Sequence, residues 1–217
     1  MKKFALIAVL ACTLAVGGLF AGRAVAAESN TNKGGQSTKL SSSSTHNGLF
    51  VRAGDKVEID GIVNGDVIVL ASKFTLKGTV NGSVYVMAEE VAIDGVVSGN
   101  VHLVTGDVVY NGQAYSLYSA ASSFVSGTSA KLTGTLAVAA ASAEIAGQVD
   151  QSAYVAASVV RYDAATAGSV KIAASEIEVG SNAVIGGDLS YSQSAQLNIA
   201  DDKNIAGSIE KFASPQF

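Results

Sequence analysis

The chain has 217 residues, 48% of them hydrophobic but only 6% aromatic, and it has no tryptophan. Its 14 basic and 18 acidic residues give a formal net charge of −4 at pH 7, and the basic residues form no stripe. This balance argues against nucleic acid and anionic lipid surfaces as partners. The apolar residues are mostly Val, Ala, Ile and Leu, which suit the interior of a tight coil.

The first 26 residues form a targeting segment. Lys2 and Lys3 precede an apolar run from Phe4 to Ala21, and residues 24–26 read Ala-Val-Ala, the small-x-small pattern of a signal-peptidase site. We therefore predict a signal peptide over residues 1–26. An uncleaved signal anchor is the alternative, because about 18 apolar residues just span a bilayer. Either interpretation predicts an exported protein of the cell envelope, on the periplasmic or extracellular side, with membrane contact only through this segment.

Cys12 is the sole cysteine and lies inside the apolar run. The sequence Val9-Leu-Ala-Cys12 is similar to a lipoprotein processing site, so lipidation is a further alternative, although ten more apolar residues follow. Loss of residues 1–26 would leave 11 basic and 18 acidic residues, a net charge of about −7, and no thiol for a disulfide.

Residues 27–48 are rich in Ser, Thr, Asn and Gly, with almost nothing apolar to bury. This composition predicts a flexible linker. The folded domain is then expected over residues 49–212, followed by a short tail at residues 213–217.

A glycine returns about every seventeen residues within this domain, each time opening the same phrase. Gly65-Asp-Val-Ile-Val, Gly82-Ser-Val-Tyr-Val and Gly99-Asn-Val-His-Leu are in strict register, and nine such openings can be followed to the C-terminal region. A short fixed period is typical of a solenoid, whose repeats stack on one another. Glycines tolerate positive φ at tight corners, so we interpret these residues as structural corners: Gly65, Gly82, Gly99, Gly134, Gly168, Gly187 and Gly207.

Apolar residues lie two apart within each repeat, as in strands with alternating faces. Val67 and Val69 form a first pair, Phe74 and Leu76 a second, and Val80 supplies a third contact. Seventeen residues are too few for a strand, a crossover helix and another strand. The pattern therefore predicts an all-β fold: a single-stranded parallel β-helix of about nine rungs of 17–20 residues, with three short strands per rung.

Candidate chemical groups are sparse. His46 falls in the expected linker and His102 at an outward strand position, and neither has ligands at metal spacing. The outward column is predicted to mix residue types, without the repeated chemistry of a binding strip: Ile68, Tyr85, His102, Ser119, Ala137, Tyr154, Lys171, Ser190 and Glu210. A ligand groove along it is the alternative. We expect no catalytic residue, no metal site and no cofactor.

The carboxylates favour solvated surface positions. The adjacent pairs Glu89-Glu90 and Asp201-Asp202 lie at corners, where two acids seldom converge on one substrate. Polysaccharide lyases of the β-helix class carry long loops with clustered Asp, Lys and Arg, and hexapeptide acyltransferases need a six-residue period with a histidine. This chain has neither pattern, so we predict that it is not an enzyme.

The repeat resembles that of the bactofilins, polymer-forming cytoskeletal proteins of bacteria. The phrase at residues 61–69, Gly-Ile-Val-Asn-Gly-Asp-Val-Ile-Val, recurs at residues 78–86 and 95–103, and the likeness is strongest over residues 57–112. The resemblance implies a right-handed β-helix that joins end to end into filaments without nucleotide and acts as a scaffold. The targeting segment and the larger number of windings differ from typical bactofilins and favour an exported relative.

The sequence thus predicts a non-enzymatic scaffold of the cell envelope whose main partner is itself, as a homopolymer. The expected contacts are residues of the terminal rungs, where backbone groups lack a neighbour: Phe50, Val51, Ile209 and Phe212. The alternative is a monomeric binding or adhesion module for a cell-wall polysaccharide or an envelope protein.

Overall fold

A computed structural model describes residues 37–213 of the protein, and the predicted targeting segment, Cys12 and residues 27–36 and 214–217 lie outside this part. The strands of the first half are β1 (Ser37–Leu40), β2 (Thr45–Asn47), β3 (Phe50–Ile59), β4 (Ile62–Asn64), β5 (Val67–Leu76), β6 (Thr79–Val80), β7 (Val84–Ile93), β8 (Val96–Val97), β9 (Val101–Tyr110), β10 (Gln113–Ala114) and β11 (Leu117–Ser126). Those of the second half are β12 (Lys131–Leu132), β13 (Leu136–Ala139), β14 (Ser142–Val149), β15 (Ala153–Ala156), β16 (Val159–Thr166), β17 (Val170–Ala173), β18 (Glu176–Val179), β19 (Val184–Ile185), β20 (Leu189–Ser192), β21 (Gln196–Ile199) and β22 (Ile209–Phe212), with a 3₁₀ turn at Asp202–Asn204.

The chain is a parallel β-helix of about ten turns, which confirms the predicted fold. Each strand pairs in parallel with the equivalent strand of the next turn; for example, Val67 lies beside Val84 and Val84 beside Val101. Three faces result. Face 1 contains residues 67–70 and their equivalents, face 2 contains residues 73–76, and face 3 contains residues 62–64. In β3, β5, β7, β9 and β11 one ten-residue strand spans faces 1 and 2, whereas from β13 onward two separate strands do so.

The core lies inside the coil and consists of stacked columns of like residues. The predicted inward pairs are buried, including Val67 and Val69 on face 1 and Phe74 and Leu76 on face 2, and Val80 closes the triangle from face 3. Because equivalent positions repeat every turn, each buried side chain rests on its counterpart above and below. The interior is therefore filled by side chains along the whole rod.

The predicted linker is wrong for residues 37–48. Ser37–Leu40 pairs with residues 56–59, and Thr45–Asn47 pairs with residues 62–64, so this segment forms most of an additional first turn. Most of its side chains are small and polar because it lies at the end of the rod, where there is little core to fill, and Leu40 packs against that core. Lys39 secures the turn through ion pairs with Glu58 at 2.9 Å and Asp60 at 2.7 Å.

Corner side chains also join successive turns. The carboxylate Oδ1 of Asp66 accepts a hydrogen bond from the backbone N–H of Ser83 at 2.7 Å, and the Oγ of Ser83 accepts one from the N–H of Asn100 at 3.2 Å. The Oγ of Ser116 accepts from the N–H of Thr135 at 2.9 Å in the same way. This polar corner ladder satisfies backbone donors at a bend, where strand pairing is interrupted.

The corner glycines are required by close approach between turns. Among the described residues, positive φ occurs at Gly48, Gly65 and Gly147, so most of the predicted corner glycines do not need it. A Cβ added at Gly82 would lie only 2.4 Å from the carbonyl oxygen of Gly65 in the preceding turn. Since carbon and oxygen cannot approach so closely, the stacking distance of the coil itself excludes a side chain here.

Replacement of Ser116 by alanine tests the corner ladder. Ser116 is buried, so the variant leaves the N–H of Thr135 without its acceptor. We expect Ser116→Ala to lower the free energy of unfolding by about 1–3 kcal/mol, measured by chemical denaturation. Ser122→Ala, at an exposed position of β11, is the matched control and should change it by less than about 0.5 kcal/mol. Equal stability of the two variants would contradict the role of the ladder.

Candidate functional site

An aromatic column lies on the outer side of face 1. The ring of His102 stacks between two tyrosine rings, with centroids 4.9 Å from Tyr85 and 5.0 Å from Tyr118 and interplanar angles of 4° and 11°. The three residues occupy equivalent outward positions of β7, β9 and β11. Parallel pairing brings their rings together, because it places equivalent residues of successive turns side by side.

The sequence missed this column because one turn is a residue shorter than predicted. Val101 pairs with Leu117, only sixteen residues on, so Tyr118 and not Ser119 stands beside His102. Ser119 instead points into the core, where its Oγ has no hydrogen-bond partner among the described residues. Polar residues normally favour the outward position, which made the predicted register appear satisfactory.

His102 is therefore a packed side chain and not a fully solvated one. Burial between the two tyrosines lowers the pKa of its imidazole, since charge is disfavoured where water is removed. His46 is likewise not in a linker: it lies in β2, its ring packs edge-on against Phe50 with centroids 5.3 Å apart, and its Nε2 is 3.2 Å from the carbonyl oxygen of Leu49.

The outer side of face 1 carries no charged residue over seven consecutive turns, the first of which presents Val51 and Ala53. We call the following six turns the uncharged strip, and its twelve outward residues in register order are Ile68, Leu70, Tyr85, Met87, His102, Val104, Tyr118, Ala120, Ala137, Ala139, Tyr154 and Ala156. Leu70 and Met87 are 57% and 45% exposed. A largely apolar surface that groups exposed residues in this way marks an interaction site more often than isolated surface leucines do.

Face 2 has the opposite character. Its outward residues form ion pairs from turn to turn, such as Lys73 with Glu90 at 2.7 Å and Arg161 with Glu178 at 3.0 Å. Glu90 is thus engaged with a lysine and does not converge with Glu89 on a common site. Such exposed pairs contribute little stability, but they keep this face hydrated. The rod is therefore amphipathic across its width.

The two ends of the described rod also differ. At the N-terminal end Phe50 is only 2% exposed, because His46 packs on its ring and the guanidinium of Arg52 lies 4.7 Å from the ring centroid. Lys39 and Lys56 flank Glu58, and their hydrogen bonds lower the pKa of its carboxyl group to about 2. Polar and charged groups thus close this end.

At the C-terminal end some core positions are open, although the Nζ of Lys211 lies over Tyr191, 5.9 Å from its ring centroid. Ile209 occupies the same inward column as Leu189 and Val170, yet it is 40% exposed while both of those are fully buried. Leu197 and Ile199 are partly exposed, although their predecessors Ile177 and Val179 are buried. Within residues 37–213, β21 and β22 pair with a strand on one side only, so their outer backbone groups lack a strand neighbour.

The predicted contact residues thus occupy different environments. Phe50 is buried and cannot act as an exposed plug, and Val51 points to the outer side of face 1. Phe212 also faces the side of the rod, where the Nζ of Lys171 lies 4.6 Å from its ring centroid. Of the four residues predicted, Ile209 is the one that presents apolar surface at an open end.

Other chemistry is not apparent in the described part of the chain. No three His, Cys, Asp or Glu side chains among residues 37–213 are grouped to hold a metal ion. Within the same residues no helix has the length and apolar character to cross a membrane. Asp201 caps the 3₁₀ turn by accepting a hydrogen bond from the N–H of Lys203 at 3.0 Å, so this predicted corner acid has a structural contact.

No family model, curated protein or solved structure matches the chain.

The lowered pKa of His102 predicts a pH dependence of stability. As the pH falls below about 6.5, the ordinary value of a free imidazole, the unfolded chain takes up the proton before the folded chain does. The free energy of unfolding should then fall with pH until the folded imidazole is also protonated.

Chemical denaturation at several pH values between neutrality and the carboxylate range measures this effect. His102→Phe keeps a ring in the stack and removes the titrating group, so its stability should depend less on pH than that of the wild-type chain. His46 and the carboxylates are common to both proteins, so the difference between the two profiles isolates His102. Parallel profiles would show that His102 is not responsible.

Proposed function

We propose that the chain is a non-enzymatic scaffold of the bacterial cell envelope, a stiff rod that associates with further copies through its ends. The observation that carries this proposal is the open C-terminal end, where Ile209, Leu197 and Ile199 expose inward positions that are buried in the preceding turn. A second rod placed on this end would extend the core and pair the outer edges of β21 and β22. The resemblance of the repeat to that of the bactofilins fits such a role.

The envelope location in this proposal depends on the predicted targeting segment of residues 1–26. The scaffold role depends on the rod itself, whose interior is filled by side chains and some of whose charged groups pair from turn to turn. Such a molecule offers a defined length and two kinds of surface, its ends and its sides.

The alternative function is a monomeric binding or adhesion module for a polysaccharide or an envelope protein. The observation that favours it is the uncharged strip, which a partner could cover. The two functions differ in solution: a scaffold forms larger species as its concentration rises, whereas a binding module stays monomeric and gains stability when its ligand is added.

Replacement of Ile209 by glutamate tests the end contact. A charge at this position would be buried in the joint between two rods, at a cost of several kcal/mol if it is unpaired. We expect the wild-type chain to form elongated assemblies in negative-stain electron microscopy and concentration-dependent species in sedimentation, and Ile209→Glu to abolish both. Circular dichroism should show an unchanged fold, because Ile209 lies in the final strand.

Val184→Glu is the matched control. Val184 is an exposed valine on the side of face 3, so the same charge there should leave the assemblies intact. Assemblies of unchanged length in Ile209→Glu would rule out the end contact. Uniform short rods from the wild-type chain at every concentration would instead favour the monomeric binding module.

A further inference from the structure

The uncharged strip has two halves that differ in the size of their side chains. In the half nearer the N-terminus the column that contains Leu70 continues with Met87 and Val104, whereas in the other half it continues with Ala120, Ala139 and Ala156. Leu70 and Met87 project into solvent, but Ala120 and Ala139 are only 6% and 8% exposed, although neither belongs to the core of the coil. Along the column of Leu70 one half of the strip therefore protrudes and the other is recessed, whereas in the neighbouring column Tyr154 is 51% exposed.

From this difference we propose that the strip is a second self-association surface, on which another copy packs side by side with its rod antiparallel. The symmetry axis is a two-fold that runs along the strands of face 1, between the turn of His102 and the turn of Tyr118. Leu70 then lies over Ala156 of the second copy, Met87 over Ala139, and Val104 over Ala120. A two-fold contact uses the same surface on both copies, so each of these three pairs of a larger residue and an alanine occurs twice.

The aromatic column is compatible with this arrangement. Tyr85 falls opposite Ala137 of the second copy, whereas His102 falls opposite Tyr118 and Ile68 opposite Tyr154. A parallel side-by-side dimer would instead set Tyr85 against Met87 of the same turn, bulky on bulky, and would set Ala137 against Ala139, small on small. Side-chain volume therefore favours the antiparallel pair, since packed interfaces fill space as closely as protein interiors do.

A second copy fits the strip better than a polysaccharide does. Sugars bind aromatic residues through the faces of the rings, and here stacking covers both faces of the His102 ring and one face of each of Tyr85 and Tyr118. The strip is flat, apolar and made of strands, which is the surface that two β-sheets bury when they pack face to face about 10 Å apart.

The size of the strip sets the expected strength of the dimer. Six turns at about 4.8 Å and four residues at about 3.3 Å give a plane of roughly 29 by 13 Å. Its projected area of about 380 Å² is well below the ~800 Å² per partner of a standard interface. The pairing is therefore weak in isolation, and it strengthens when rods joined end to end align several strips at once.

Cysteine cross-linking tests the geometry directly. Both chains carry Cys12→Ser to remove the native thiol and Ile209→Glu to remove the end contact, so the result is independent of the proposed end-to-end assembly. One chain carries Leu70→Cys and the other Ala156→Cys, with tags of different mass. Within one copy these positions are five turns, or about 24 Å, apart, which neither a disulfide nor a short cross-linker can span.

A short bismaleimide cross-linker bridges the face-to-face spacing of about 10 Å, which a direct disulfide does not reach, and should give the mixed cross-linked dimer as the main product. Leu70→Cys alone should remain monomeric, because the two copies of residue 70 lie at opposite ends of the proposed interface. A cysteine pair on face 2, Thr75→Cys with Arg161→Cys, is the control and should not cross-link. Predominance of the symmetric Leu70→Cys dimer, or cross-linking no greater than on face 2, would overturn the proposal.

Sedimentation of charge variants provides a second test, again with Ile209→Glu present. Met87→Glu should weaken dimerisation by about tenfold or more, because a carboxylate would be buried against Ala139 of the partner. Val109→Glu places the same charge on face 2 at a residue of similar exposure, 47%, and should have no effect. Both residues are exposed, so neither variant should impair folding.

Other occupants of the strip would give different results. Sedimentation of a monomer at all concentrations would overturn the proposal, as would equal dimerisation of the Met87 and Val109 variants. Binding of a monomeric chain to phosphatidylcholine vesicles or to a glycan panel, lost in Met87→Glu but not in Val109→Glu, would also overturn it and would assign the strip to lipid or sugar.

Discussion

Parallel hydrogen bonding between successive turns is the interaction on which the whole structure depends. It fixes the register of the coil, so that a residue in one turn lies about 4.8 Å from its equivalent in the next. Every position of the repeat thereby becomes a column, and each column must consist of residues that can lie beside one another. Valines stack inside the coil, and oppositely charged residues pair on face 2. The amides of Asn47, Asn64 and Asn81 form hydrogen bonds with each other at 2.8 Å.

The same constraint determines where this protein can interact. Backbone groups within the coil are paired above and below, so unpaired strand edges occur at the ends, and the sides differ only in the residues that their columns present. The N-terminal end is closed by His46, Arg52 and Lys39, whereas the C-terminal end exposes Ile209. Among the sides, face 2 is charged and face 1 is uncharged over seven turns. Where the outward columns carry no charge, as on face 1, the rod has a surface that a partner can cover.

Much of the fold could be predicted from the sequence because the apolar residues of the core recur with a fixed spacing. The spacing of Val67, Phe74 and Val80 recurs, and these positions are buried as expected. The first turn was not predictable in this way, because Ser37–Leu40 and Thr45–Asn47 have almost no apolar residues to show the period. They are held by backbone pairing and by the ion pairs of Lys39, neither of which leaves a hydrophobic pattern.

The candidate surfaces were harder to predict than the fold because they depend on exact register. One turn is a residue shorter than the repeat, so Tyr118 and not Ser119 lies in the outward column. The result is a stack of three rings where the sequence predicted mixed residue types. Similarly, Phe50 looked like an exposed terminal aromatic, but its cover comes from His46 and Arg52, which only the folded first turn brings to it. A shift of one residue exchanges inward and outward side chains, so small errors in register have their largest effect on surfaces.

The end contact and the side contact are geometrically compatible. With the two-fold axis between the turns of His102 and Tyr118, the first eight turns of one rod cover the first eight turns of the other in reverse order. The last two turns, residues 189–212, extend beyond the partner at both extremities of the pair. Each Ile209 therefore remains accessible, and an antiparallel pair would carry an open C-terminal end at each extremity. Side pairing would thus double the rod without blocking the ends by which it lengthens.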